Sequence, residues 1–335
     1  MKPVIYGLSG LSLTPDERAF FREADPLGYI LFGRNVQDPA QVRALTDSLR
    51  DLSGRADLPI LIDQEGGRVA RLKPPVWPAF PPAGAFGRLY DIAPISAIEA
   101  VRANALALGL TLSELGINVD CAPLLDVLQD DTSSVIGDRA FGGEPMRVAA
   151  LGRAALDGLR RGGVVGVIKH MPGHGRARVD SHLELPRVSA DVAALDTDLA
   201  PFAQLSAAPI GMTCHVVFEA WDAAHPATLS STVIADVIRG RIGFDGLLLT
   251  DDIDMKALTG SAGEKGAAAL AAGCDVVLDC WGRMDEMTDI ASRIGEASAL
   301  TDARLDRAMA TIAAGAEPAD LVEMLARRDA LLALS

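Results

Sequence analysis

Eight short apolar runs recur along the chain with helical patterns between them, and this alternation constrains the fold more than any other feature. The runs are 3–7, 28–32, 59–62, 117–120, 164–169, 209–213, 246–250 and 274–278. Most are continuous stretches rich in Val, Ile and Leu. A strand reads that way when both of its faces are buried, as in a parallel sheet covered by helices. The stretches between them carry helix starts. Thr14-Pro15-Asp16-Glu17 reads as a capping box with proline at the first helical position. Asp38-Pro39 opens a helix over 39–52, and Glu144-Pro145 opens one over 145–161 that stops at Gly162-Gly163. Strands alternating with helices, eight times over, predict an α/β chain closed into a (β/α)8 TIM-type barrel. One barrel domain is expected to span 1–335, with two extra helices from about 301.

Composition narrows the classes. The chain has 335 residues, of which 49% are hydrophobic and only 4% aromatic, so the core is built from aliphatic side chains. The net charge is −14 and no Lys/Arg run forms a basic patch, which argues against a nucleic-acid partner. No apolar run reaches the roughly 18 residues of a membrane span. The start, Met1-Lys2-Pro3-Val4-Ile5-Tyr6-Gly7, lacks the apolar stretch and cleavage site of a signal peptide. Cys121, Cys214, Cys274 and Cys280 form no CxxC pair, and most lie in or beside apolar runs. They read as buried thiols in a reducing compartment. A cytoplasmic monomer is expected, with no membrane partner.

Chemistry concentrates where the apolar runs end. In a (β/α)8 barrel the active site lies at the C-terminal ends of the strands. The run 59–62 empties into Asp63-Gln64-Glu65-Gly66-Gly67-Arg68, and 164–169 ends on Lys169-His170. The run 209–213 leads to Cys214-His215, and 246–250 to Asp251-Asp252. Four such ends on one rim make a site. Asp63 with Arg68, Arg71 and Arg139 offers carboxylate and guanidinium groups suited to sugar hydroxyls, or a structural ion pair at the barrel end.

Three of the five histidines, His170, His174 and His182, fall in one Gly- and Pro-rich loop. Asp180 stands two residues before His182, close enough to orient an imidazole and raise its basicity. His174 reads as the structural member of the three. A metal site is the competing reading, since His170, His174, Asp180 and His182 are all potential ligands. Pro172 and its neighbouring glycines count against it, because an i, i+4 pair of ligands needs a helix. At the other end of the barrel mouth, Asp251 can attack an anomeric carbon, or Asp252 or Asp254 can cap the following helix.

Together these motifs resemble glycoside hydrolase family 3, and more closely its single-domain bacterial β-N-acetylhexosaminidases. The resemblance rests on Asp63-Gln64-Glu65-Gly66-Gly67-Arg68, Ile136-Gly137-Asp138-Arg139-Ala140-Phe141, Lys169-His170-Met171-Pro172-Gly173-His174-Gly175, Asp180-Ser181-His182 and Thr250-Asp251-Asp252-Ile253-Asp254-Met255, in the family's order. It implies a retaining exo-hydrolase that removes terminal β-N-acetylglucosamine from anhydro-muropeptides in cell-wall recycling, without metal or other cofactor. It implies Asp251 as nucleophile, His182 as acid/base and Asp180 as its orienting partner. The substrate contacts it implies are Asp63, Arg71, Arg139, Lys169 and His170. The chain departs from the family pattern at Met171 and at Arg176-Ala177, where no family chemistry resides. A family 3 β-glucosidase or β-xylosidase and a metal-dependent barrel hydrolase are the alternatives.

Overall fold

The computed structural model describes residues 1–179 and 184–335. The strands are β1 (Lys2–Gly7), β2 (Pro26–Leu31), β3 (Ile60–Ile62), β4 (Val119–Asp120), β5 (Val165–Met171), β6 (Arg187–Val188), β7 (Ile210–Thr213), β8 (Val217–Phe218), β9 (Leu247–Asp252) and β10 (Val276–Asp279). Eight of them close a barrel in the order β1-β2-β3-β4-β5-β7-β9-β10, every pair parallel. All eight apolar runs became barrel strands. β5 and β9 extend further than the runs suggested, so that Lys169, His170, Asp251 and Asp252 lie within strands. β6 and β8 form a separate parallel ribbon outside the barrel.

Side chains alternate along the strands with the period of two that a pleated backbone imposes. Ile5, Leu61, Val119, Val165, Val167, Leu247, Leu249, Val276 and Leu278 form one buried cluster. Their neighbours Val4, Tyr6, Ile60, Ile62, Ile168, Leu248 and Val277 join the larger cluster shared with the helices.

The helices start where capping chemistry allows. α1 (Pro15–Ala24) has the complete Thr14/Glu17 capping box, and Asp38 caps α2 (Pro39–Ser53) through the Gln41 amide. α3 (Ala83–Ile92) and α4 (Pro94–Glu114) follow the Pro-rich loop. Glu144 caps α5 (Pro145–Arg161), and Asp191 caps α6 (Val192–Gln204). Ser261 caps α7 (Ala262–Ala272) with a second capping box. α8 (Met284–Arg293), α9 (Ala299–Ala310) and α10 (Leu321–Leu332) complete the chain. α4 is long and apolar enough to cross a membrane, but it is largely buried in the fold, packed against α3, α5 and α10. α9 places Leu305, Ala308 and Met309 in the cluster that includes the barrel strands.

The capping alternative for the paired carboxylates does not hold. Asp251 and Asp252 finish β9, and the next helix starts ten residues later, under Ser261. Their side chains are therefore not occupied at a helix end.

Candidate active site

The strand ends surround a cavity of about 430 Å³. Asp63, Arg71, Arg139, Lys169, His170 and Asp251 all line it. Asp180 and His182 lie outside the described residues.

The β3 end is built by alternation. Asp63 and Glu65 face the cavity, while Gln64 between them turns the other way and is fully buried. Gln64 Oε1 accepts from the Arg71 and Leu72 amides at 2.7 and 3.0 Å, and its Nε2 donates to the Leu72 carbonyl at 2.9 Å. That closes the loop 64–72 and brings Arg71 back beside Asp63. Gly66 at φ 101° and Gly67 at φ 56° supply the left-handed backbone this turn needs. Arg68 points to the neighbouring loop, where it meets Asp138 at 3.3 Å and the Ser134 and Val135 carbonyls at 2.7 Å each. It fastens that loop in place and so positions Arg139.

Two carboxylates and three cations form one network. Lys169 Nζ lies 3.1 Å from Asp63 and 2.8 Å from Glu65. Arg71 meets Asp63 at 3.1 Å, and Arg139 grips Glu65 with two bonds of 2.8 Å. Burial alone would push Asp63 up, but Lys169 and then Arg71 hold it down at about 2. The same balance, burial against Lys169 and Arg139, lowers Glu65. Burial would discharge Lys169, yet Glu65 and Asp63 keep its ammonium charged well above the usual lysine range. Asp63, Glu65, Lys169 and Arg139 are thus ionised at neutral pH and present fixed charge to the cavity.

Asp251 and Asp252 are adjacent carboxylates with opposite fates. Burial works against ionising Asp251, but His170, His215 and the Asp252 amide outweigh it and lower its pKa. Its Oδ1 accepts from that amide at 2.8 Å. Burial, with the Asp251 charge added to it, raises Asp252 to about 6. Pairs driven apart in this way mark acid–base chemistry. Among the described residues no cation pairs with Asp251 within ion-pair distance, so its second oxygen is left for a ligand.

Behind this wall, His215 donates from Nε2 to the Asp252 carbonyl at 2.9 Å, while its Nδ1 lies 2.8 Å from Thr228 Oγ1. Burial lowers its pKa, and through these two bonds it holds the end of β9. Asp126 does similar work for β5. It meets His170 Nδ1 at 2.7 Å and accepts from the His170 and His174 amides at 3.3 and 2.6 Å. Burial opposes its charge, but His170 above all holds it at about 2.

Sequence reading did not single out Glu65, Asp126 or Arg34, left open which of Trp77, Trp221 and Trp281 could stack on sugar, and took His174 for structural. Glu65 had a signal, its i, i+2 spacing from Asp63. Asp126 ends the apolar stretch 121–125 beyond β4, which empties into an acid as the stretches before Asp63 and Asp251 do. His174 is only 3% exposed yet lines the cavity. Arg34 and Trp281 also line it, with Trp281 at 52% exposure on its edge. Trp77 is buried in the core, and Trp221 packs half-buried against it. Arg176, one of the departures noted, pairs with Asp198, and Ala177 and Met171 are buried in the core. Among the described residues no group of three or more His, Cys, Asp or Glu side chains is arranged to hold a metal ion.

Residues 17–314 match the family model described as the glycosyl hydrolase family 3 N terminal domain. The chain is 40% identical over 283 residues to the beta-hexosaminidase of Alkalilimnicola ehrlichii, covering 83% of this chain and 80% of that protein. It is 38% identical over 298 residues to the beta-hexosaminidase of Aromatoleum aromaticum, covering 87% and 82%. Among solved structures, NagZ from Neisseria gonorrhoeae in complex with N-trifluoroacetyl-D-glucosamine superposes with a TM-score of 0.88 at 30% identity, over 99% of this chain and 98% of that one. A family 3 beta-N-acetylglucosaminidase from Paenibacillus sp. FPU-7 superposes with a TM-score of 0.81 at 34% identity, over 98% of this chain and 61% of that one.

Proposed function

Because the chain belongs to glycoside hydrolase family 3 and is a β-N-acetylhexosaminidase, we propose that it is a retaining exo-enzyme that cuts terminal β-linked N-acetylglucosamine from anhydro-muropeptides. The observation that carries this reading is Asp251, whose pKa is lowered at the cavity wall and whose second oxygen has no ion-pair partner among the described residues. An ionised carboxylate there can attack C1 of the sugar. As the C1–oxygen bond breaks, His182 gives its proton to the leaving oxygen, and a glycosyl–Asp251 ester forms. In the second step His182 takes a proton from water. The hydroxide attacks C1, the ester bond breaks, and Asp251 returns as carboxylate. Asp180 orients the imidazole for both steps.

Asp63, Arg71, Arg139, Lys169 and His170 bind the terminal sugar. Asp63 is already paired with Arg71 and Lys169, Arg139 with Glu65 and His170 with Asp126, so the sugar meets oriented donors and acceptors without having to organise them. The NagZ relative was solved with an N-acylated glucosamine, which supports this ligand class.

The aglycone side is supported by the outer wall. Trp281 offers an exposed indole face, and Arg34 lies 5.9 Å from that ring and 5.0 Å from Phe32. Arg34 donates to the Leu8 and Cys280 carbonyls and has no carboxylate partner among the described residues. A muramic residue, with its lactyl carboxylate and peptide, suits such a wall. Cytoplasmic residence belongs to the same proposal. Cys121, Cys214, Cys274 and Cys280 are all free and buried, as suits a reducing compartment.

A substrate panel tests the proposal. An aryl N-acetylglucosaminide and an anhydro-muropeptide should both turn over, and an aryl glucoside or xyloside should not. Trp281→Ala should slow the muropeptide roughly tenfold, the scale of one lost aromatic contact, and leave the aryl substrate unchanged. Faster turnover of the glucoside would overturn the sugar assignment. Equal loss on both N-acetylglucosaminides would overturn the aglycone assignment.

A further inference from the structure

His174 stands in the cavity wall with a geometry that a spacer residue does not need. Its backbone is pinned on both sides. A Cβ at Gly173 would come within 3.0 Å of Asp198 Cβ, and one at Gly175 within 1.9 Å of the Val127 carbonyl oxygen. Its amide donates to Asp126 at 2.6 Å. Its ring packs edge-on against His170, with centroids 5.8 Å apart at 64°. The backbone and the His170 ring thus fix where the imidazole sits, in the wall of the cavity that Asp251 also lines.

Its hydrogen-bond state follows from what surrounds it. Nδ1 is buried and has no hydrogen-bond partner among the described residues. Burial, and then the neighbouring His170, hold the ring neutral, with a pKa of about 4 despite the pull of Asp126. A neutral imidazole carries one N–H. Placed on Nδ1, that proton would be a buried donor without an acceptor, which native structures rarely tolerate. Placed on Nε2, it leaves only a lone pair unsatisfied, a smaller cost. The Nε2–H tautomer is therefore the stable one, and Nε2 is the ring nitrogen left for the cavity.

We propose that His174 is a substrate-contacting residue, whose Nε2–H donates a hydrogen bond to an oxygen of the terminal hexosamine beside Asp251. It is a permanent donor and not a proton carrier, which separates it from the acid/base role assigned to His182. The inference rests on the cavity being the sugar site.

The test compares three variants in the full chain with an aryl N-acetylglucosaminide across pH 5–9. Binding of free N-acetylglucosamine is followed by calorimetry. His174→Phe keeps a ring and removes the donor. It should lower kcat/KM roughly tenfold or more, the scale of one lost hydrogen bond, and weaken sugar binding by a similar factor. Neither limb of the pH profile should move. His174→Gln, which returns an amide N–H near the Nε2 position, should recover most of the loss. If His174→Phe does not fold, His174→Asn replaces it with the same expectation, since its amide is too short to reach. Full activity in His174→Phe, equal recovery by Phe and Gln, or a shifted pH limb overturns the proposal. Asp251→Asn, run alongside, reports on the site itself. If it keeps activity, the cavity is not the reaction centre and both readings fall. If it loses activity while His174→Phe does not, only the His174 assignment falls.

Discussion

The two ends of the barrel both carry buried ion-pair networks, and they differ in what the networks enclose. At the N-terminal end, Asp275 is gripped by Arg239 and Arg304 at 2.8 Å each and accepts from the Leu248 amide at 2.9 Å. Arg304 and Arg307 also reach Asp245. Both partners in the Arg304–Asp275 pair are nearly buried, and α9 lies across them with its apolar face in the barrel cluster. At the C-terminal end, Lys169, Arg71 and Arg139 tie Asp63 and Glu65 together in the same way, yet these groups line an open cavity. The lower network fastens a helix. The upper one holds donors and acceptors in register around a space, next to a carboxylate that no described cation claims. Identical chemistry serves stability at one end and preorganised binding at the other, and the difference lies in whether the geometry leaves anything unspent.

The largest effect should come from separating the two ends. Asp251→Asn keeps the shape and removes the proposed nucleophile. It should lower kcat by about four orders of magnitude, as loss of a covalent catalytic group does, with an unchanged melting temperature. A variant that remains active, or that unfolds early, would erase the distinction between the ends. The complementary change is Asp275→Ala. It strands two guanidinium groups and an amide and should cost about 3–5 kcal/mol of stability in denaturant titrations. Its kcat below the transition should stay within about twofold of the parent, since nothing it touches reaches the cavity.

A smaller, pH-dependent effect should come from a carboxylate that belongs to neither network. Asp279 ends β10, is fully buried and has no hydrogen-bond partner for either oxygen among the described residues. Burial, with Asp252 and Glu286 nearby, raises it from 3.8 to about 8. The folded chain therefore keeps a proton that the unfolded chain releases at lower pH. Below the unfolded value both states hold it and nothing is lost. Between the two values stability falls as pH rises, and the loss levels off above about 8. Asp279→Asn should remove this dependence, raising stability at pH 8 by about a few kcal/mol and leaving it unchanged at pH 4. Equal gains at both pH values would place the effect in packing instead.

Much of this architecture was legible in the sequence because the cause is local. A strand buried on both faces must be apolar throughout, so eight runs gave eight barrel strands. Thr14, Asp38 and Glu144 announced their helices because a cap acts on amides two or three residues away. The rim residues Asp63, Lys169 and Asp251 were visible as polar groups closing apolar runs. What stayed hidden depends on direction in space. Nothing in the spacing of His170 and His174 says that the ring of one and the backbone amide of the other meet the same Asp126, 44 and 48 residues earlier. The pairing of Arg139 with Glu65 joins loops 74 residues apart. The capping reading of Asp252 failed because β9 runs two residues further than its apolar segment, and no local rule sets that length.

The central claim, that Asp251 is the group that bonds to sugar, is tested most directly by trapping. Protein incubated with an activated fluorosugar of N-acetylglucosamine, then digested, should carry one glycosyl adduct on the peptide spanning 246–256, fragmenting to Asp251. An adduct on another residue would contradict the assignment. Normal turnover with no covalent species would instead point to attack by the substrate's own acetamido group, with Asp251 only stabilising the charge.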